Sequence, residues 1–115
     1  MKATLLGPSE TTKTMRVTAP SAVTTGVMYI INGMSVVAMA DADNGDEVVV
    51  CYECDRVRAT KAAPLAIAGG DVLYLVAGLT EINKTSQANT ACGLALEAAA
   101  SAATTVDFRL FPVKM

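Results

Sequence analysis

Apolar and polar positions alternate along this chain in short bursts separated by glycine and proline, a pattern that predicts strands rather than helices. Thr14 to Thr18 is short and β-branched and stops at Ala19-Pro20. Val27-Met28-Tyr29-Ile30-Ile31 follows, and Asn32-Gly33 predicts a type I′ turn into a partner strand, Met34 to Met39. Beyond the loop Asp41-Ala42-Asp43-Asn44-Gly45-Asp46, Glu47 to Glu53 has the β-branched content of a mostly buried strand. Arg56 to Thr60 has the alternation of a strand with one wet face. Helix competes for Ala91 to Ala103, because Ala and Leu are strong helix formers. Gly93 near its start and the β-branched run after it weigh toward a strand, Cys92 to Ala98, leaving room for one helical turn around Ala98 to Ala102.

The pattern also repeats. Ala19-Pro20-Ser21-Ala22-Val23-Thr24-Thr25-Gly26 returns as Ala63-Pro64-Leu65-Ala66-Ile67-Ala68-Gly69-Gly70. After one inserted residue, Asp71, the hairpin Val27 to Ser35 returns as Val72 to Thr80. A period of about 45 residues falls in the range where repeats signal architecture. Two such units, neither able to bury a face alone, predict an all-β fold: a small β-barrel or sandwich of two pseudo-repeated units closed by a C-terminal strand, Thr104 to Phe111.

Length allows one domain, read as residues 14–115 behind an N-terminal arm of residues 1–13 that shows no periodicity. The arm is either a frayed terminus or a segment that orders on a partner through Leu5 and Leu6. A net charge of -2, with 9 basic and 11 acidic residues spread along the chain, argues against nucleic acid or an anionic membrane as partner. No apolar run approaches the ~20 residues of a membrane helix. The opening Met1 to Leu6 turns polar at Gly7 before a signal-peptide core develops, so residence in a cytoplasm is expected.

Chemistry is sparse. Three cysteines and no histidine cannot close a four-ligand zinc site without a carboxylate or a second chain. Cys51 and Cys54, three apart on an extended strand, are expected on opposite faces about 10 Å apart, which suits buried small hydrophobes better than a redox pair. Asp41-x-Asp43-Asn44-Gly45-Asp46 is similar to a calcium loop, but its glycine is one position early and the distal glutamate is missing. No serine sits in a nucleophile elbow, and the glycine pairs form no phosphate-binding fingerprint. The expectation is a protein without enzymatic activity, cofactor or metal.

Gly93-Leu94-Ala95-Leu96-Glu97-Ala98-Ala99-Ala100, then Thr104-Thr105-Val106 and Arg109-Leu110, resemble the endings of the small capsid decoration, or cement, proteins of tailed bacteriophages. Arg16-Val17-Thr18-Ala19-Pro20, Gly45-Asp46-Glu47 and Gly70-Asp71-Val72-Leu73-Tyr74 extend the resemblance over nearly everything from Thr14 on. The Cys51 to Cys54 segment and Asp107 depart from it. The resemblance implies a β-rich virion protein, made in the host cytoplasm, that sits on the outer surface of the expanded head and bridges major capsid subunits. It also implies a homo-oligomer, a trimer favoured over a dimer. Leu5, Leu6, Met15, Arg16, Arg109 and Phe111 are the expected contact residues, with Arg109 at a sheet edge. The competing expectations are a tail or head-completion protein and a small cysteine-dependent metal-binding protein.

Overall fold

The computed structural model describes residues 3–7, 12–62, 65–76, 81–85 and 89–111, and among these there is no helix. The all-β expectation holds, and the reason is local. Strands β3 (Met28–Ile31) and β4 (Met34–Ala38) form the tight hairpin set by Asn32 and Gly33, whose φ angles of 54° and 76° are the two positive values a type I′ turn needs.

The organising element is β5, Glu47–Thr60, one strand of 14 residues where two separate strands were expected. One of its edges carries β2 (Lys13–Thr18) and then β1 (Ala3–Leu5). Its other edge carries β4 over the first half and β9 (Thr105–Leu110) over the second. Beyond β9 lie β8 (Thr90–Ala95), β6 (Val72–Leu75) and β7 (Ile82–Asn83). The sheet curls into a half-barrel that brings β4 over β8, where the buried Ser35 hydroxyl donates to the Ala91 carbonyl at 3.3 Å.

Three details refine the expectation. Part of the arm, Ala3–Leu5, is a strand, because Ala3 is buried and Leu5 packs against the core while Thr4 between them faces water. The C-terminal strand β9 joins the two halves from an interior position, between β5 and β8. The Ala91 to Ala103 region contributes β8 and then turns, its one tight turn being Ala103 N to Ala100 O at 2.9 Å. The tip of the second expected hairpin, residues 77–80, lies outside the described residues.

Two cores result. The larger lies inside the half-barrel and is centred on Phe108, Met28, Leu73, Leu75, Ile82 and Leu110. The smaller lies on the other face of β3, β4 and the first half of β5, around Val36, Val50, Ile31 and Val48. Cys51 and Cys54 both belong to the larger core, against the expected opposite faces. A register shift places Lys13 opposite Glu53 but Thr14 opposite Cys51. That extra β5 residue resets the alternation between the two cysteines.

Two contacts fix the second half. Gly93 lies so close to β9 that an added Cβ would fall 1.8 Å from the Arg109 carbonyl oxygen. Lys61, only 3% exposed, donates from Nζ to the carbonyls of Ala62, Leu65 and Ser101, tying the end of β5 to two loops.

Candidate functional site: the outer face of the half-barrel

The side chains that alternate with the larger core point outward and form a mixed surface. On β9, Asp107 and Arg109 alternate with buried Val106, Phe108 and Leu110, and on β5, Arg56 and Arg58 flank buried Val57. Cross-strand register places Arg58 opposite Asp107, Leu94 opposite Arg109, and Val72 opposite Leu94.

Asp107 is the hub. Its carboxylate takes two hydrogen bonds from Arg58, at 2.8 Å from Nε and 3.1 Å from Nη2, and one from Arg56 Nη1 at 2.7 Å. Arg56 Nη1 also reaches Glu97 at 2.7 Å. The Arg58 hydrogen bonds, helped by Arg56, hold the Asp107 carboxyl below its ordinary range although partial burial pulls the other way. A second cluster follows Arg109, which reaches Glu53 at 3.4 Å and Asp55 at 3.6 Å and lies 5.1 Å over the Phe111 ring. Lys13 joins it weakly, 3.9 Å from Glu53.

Lys13, Arg56, Arg58 and Arg109 thus balance Glu53, Asp55, Glu97 and Asp107, so the belt has no net charge. A balanced belt does not draw in a charged ligand from a distance; it fixes side chains before a partner arrives. Beside it stand exposed apolar side chains, Leu6 (43% exposed), Leu96 (41%), Val72 (40%) and Leu94 (37%). A cleft of about 320 Å³ beside Asp107 is lined by Ala98, Ala99, Ala100 and Ala103, and its charged groups are already paired, Asp107 with Arg58 and Glu97 with Arg56.

The expected contact residues fall in different places. Leu6 is exposed at the end of β1, while Leu5 is partly buried against the larger core. Met15 is partly buried against the smaller core, and Arg16 is exposed on β2 within 3.8 Å of Glu47. Arg109 and Phe111 sit together, but β9 is an interior strand, so Arg109 meets solvent from the sheet's face rather than from an edge. The sequence reading missed Asp107 as a hub and the Val72–Leu94 pair. The alternation of Arg56 with Arg58 and of Asp107 with Arg109 puts each pair on one face, but only the β5–β9 register brings the two together.

The cysteines offer little chemistry. Burial pushes the Cys51 thiol up to about 11, against a hydrogen bond to the Glu53 carbonyl that pulls it down, and burial raises Cys92 further. Among the described residues no group of three or more Cys, Asp or Glu side chains gathers where a metal ion could be held. The acidic loop is likewise occupied with its own turns: Asp41 accepts from Thr25 N at 2.8 Å and Gly45 N donates to Ala19 O at 2.9 Å.

A small all-β domain whose outer face is pre-ordered by ion pairs and edged with exposed aliphatic side chains is built for contact with another surface. Residues 9–110 match the family model described as phage cement protein, which covers most of the chain, and the chain belongs to that family. It is therefore a structural, capsid-associated protein of a bacteriophage. Comparison with curated proteins and with solved structures finds no match.

Proposed function

We propose that the protein binds the outer surface of the expanded phage head and stabilises it by bridging neighbouring major capsid subunits, acting as a homo-oligomer. The observation that carries this reading, beyond family membership, is the strip formed by β1, β5 and β9. There Leu6 stands exposed beside the paired Arg56, Arg58, Asp107 and Glu97. Leu6 N and Gly7 N both donate to the Arg56 carbonyl, at 2.8 and 3.2 Å, so the leucine is tethered to the belt rather than carried on a loose arm. An anchored apolar side chain beside a neutral, fixed polar rim has the anatomy of a protein interface. Each contact is weak, and repetition over a symmetric shell makes the sum strong.

The test is cryo-EM of decoration-free expanded heads incubated with the protein. Added density at symmetry-related positions on the outer shell is expected; a bare shell overturns the reading and points to the tail or the head-completion site. Leu6→Glu, at an exposed position, should leave the fold intact and lower occupancy at least tenfold. Equal occupancy by this variant removes Leu6 from the contact.

A further inference from the structure

The backbone pairing of the first half recurs in the second. Gly26 N donates to Ala38 O and Ala38 N to Val27 O; correspondingly, Gly70 N donates to Ala95 O and Ala95 N to Asp71 O. Val23 and Ala42 form an isolated antiparallel bridge, and so do Ile67 and Ala99. Met39 N donates to Val49 O as Leu96 N does to Asp107 O, and Ala19 N to Asp46 O as Lys61 N does to Thr104 O. The pairs Met28–Val37, Ala38–Val50 and Thr18–Glu47 have counterparts in Val72–Leu94, Ala95–Phe108 and Thr60–Thr105. The strand order β2-β5-β4-β3 is thereby matched by β5-β9-β8-β6, the first half of β5 ending one unit and its second half opening the next. The frame is not the one read from the sequence: Val72 corresponds to Met28 rather than Val27, and β8 to β4 rather than to the start of β5.

Correspondence of strands fixes correspondence of surfaces. Met28, Val37 and Cys51 of the first unit pack into the larger core, yet their counterparts Val72, Leu94 and Arg109 face outward. In the opposite sense, Val57, Ala59 and Leu73 of the second unit are at most 2% exposed in the larger core. Their counterparts Met15, Val17 and Tyr29 are only partly buried, at the rim of the smaller core. The outer face of unit one therefore covers the inner face of unit two. One outer face and one inner rim, complementary by the same geometry, are left over at opposite ends of the chain.

We infer that copies of this chain associate head to tail, the Val72–Leu94 face of one copy seated on the Met15–Val17–Tyr29 rim of the next, repeating between chains the packing made within one. Such a contact is heterologous, and closes into a ring when its rotation allows. Covering Arg109 leaves no unpaired charge, because it brings Glu53 and Asp55 with it. In unit one the β2 positions Thr14 and Arg16 stay exposed, so the matching β5 strip with Arg58 stays uncovered in the assembly. The inference goes beyond capsid binding and does not depend on it.

The test is sedimentation velocity of the full chain at micromolar concentration, with Leu94→Glu as the variant lacking a head and Met15→Glu as the variant lacking a tail. Wild type should sediment as a species larger than the monomer, and each variant alone as a monomer that keeps the β-sheet circular dichroism spectrum of the wild type. An equimolar mixture of the two should give a dimer and nothing larger, since only one intact head and one intact tail remain to meet. Should Met15→Glu fail to fold, Met34→Glu on the same rim replaces it. A monomeric wild type, a variant that stays oligomeric, or a mixture that stays monomeric overturns the inference. No capsid enters the assay, so a monomeric wild type removes the homo-oligomer but leaves binding to the head to its own assay, and a bare shell in that assay leaves this contact standing.

Discussion

Gly93→Ala should be the most damaging alanine substitution among the described glycines. The ideal Cβ falls 1.8 Å from the Arg109 carbonyl oxygen, 2.9 Å from its carbon and 3.4 Å from Leu110 Cα. A carbon and a carbonyl oxygen tolerate a closest approach of about 3.3 Å, so β8 and β9 must part by roughly 1.5 Å. That opens the ladder where Gly93 pairs with Leu110 and Leu94 with Arg109, and where Phe111 N donates to Cys92 O at 3.2 Å. Two lost backbone bonds cost about 1 kcal/mol each, and leaving their groups unpaired in a buried place adds about 1–3. Alanine at a φ of 154° adds a further ~1 kcal/mol. The sum, about 4–6 kcal/mol, is a large part of the ~5–15 kcal/mol available to a domain. At roughly 4 °C per kcal/mol for this length, the midpoint should fall by about 15 °C or more. Thermal denaturation followed by circular dichroism reads the change, with Gly45→Ala as the control. Gly45 also has a positive φ, 90°, but nothing within 4 Å of an added Cβ, and should lose only about 1 kcal/mol. If Gly93→Ala proves no worse than Gly45→Ala, the close approach of β8 to β9 is wrong.

Lys61→Met removes the donor shared by the Ala62, Leu65 and Ser101 carbonyls and should cost about 2 kcal/mol in urea denaturation; an unchanged midpoint would mean that water takes the place of Nζ without loss. Asp107 has a depressed carboxyl in the folded state, so its contribution is present above the unfolded value of about 3.9 and is lost as pH falls through the folded one. Asp107→Asn should therefore lower stability at neutral pH by on the order of 1 kcal/mol or less after solvent screening and flatten the acid limb of the stability curve. An unaltered acid limb would refute it. The thiols of Cys51, Cys54 and Cys92 are buried and free, and Cys51 is raised to about 11. A disulfide reagent at pH 8 should label none of them until the chain is unfolded in urea; rapid labelling of the native protein would contradict their placement.

The elements of this fold were legible because their signals are local. Asn32-Gly33 needs only its own two φ angles to turn the chain, and the alternation in β9 needs only neighbours to show which side is wet. Gly93 was legible as a residue of consequence, though as a strand entry; its reason, a carbonyl from a strand sixteen positions later, has no local trace. Arg56 and Arg58 read as a solvated face, which they are by position. Their role as the cations around Asp107 depends on the pairing of β5 with β9, and no periodicity within either strand encodes that register.

The same distinction explains the cysteines. Alternation along an extended strand puts residues three apart on opposite faces, and that rule fails here because β5 takes an extra residue between Cys51 and Cys54 relative to β2. The shift lies between the first half of β5, where Val50 and Tyr52 serve the smaller core, and the second, where Val57 and Ala59 serve the larger. Opposite faces of the strand serve the two cores, Val48 and Val50 turning to the smaller while Cys51 turns to the larger. A second register shift, between Cys54 and Val57 against β9, restores the alternation, so Val57 and Ala59 return to the face of Cys51 and the two shifts together are what let Cys54 join the larger core.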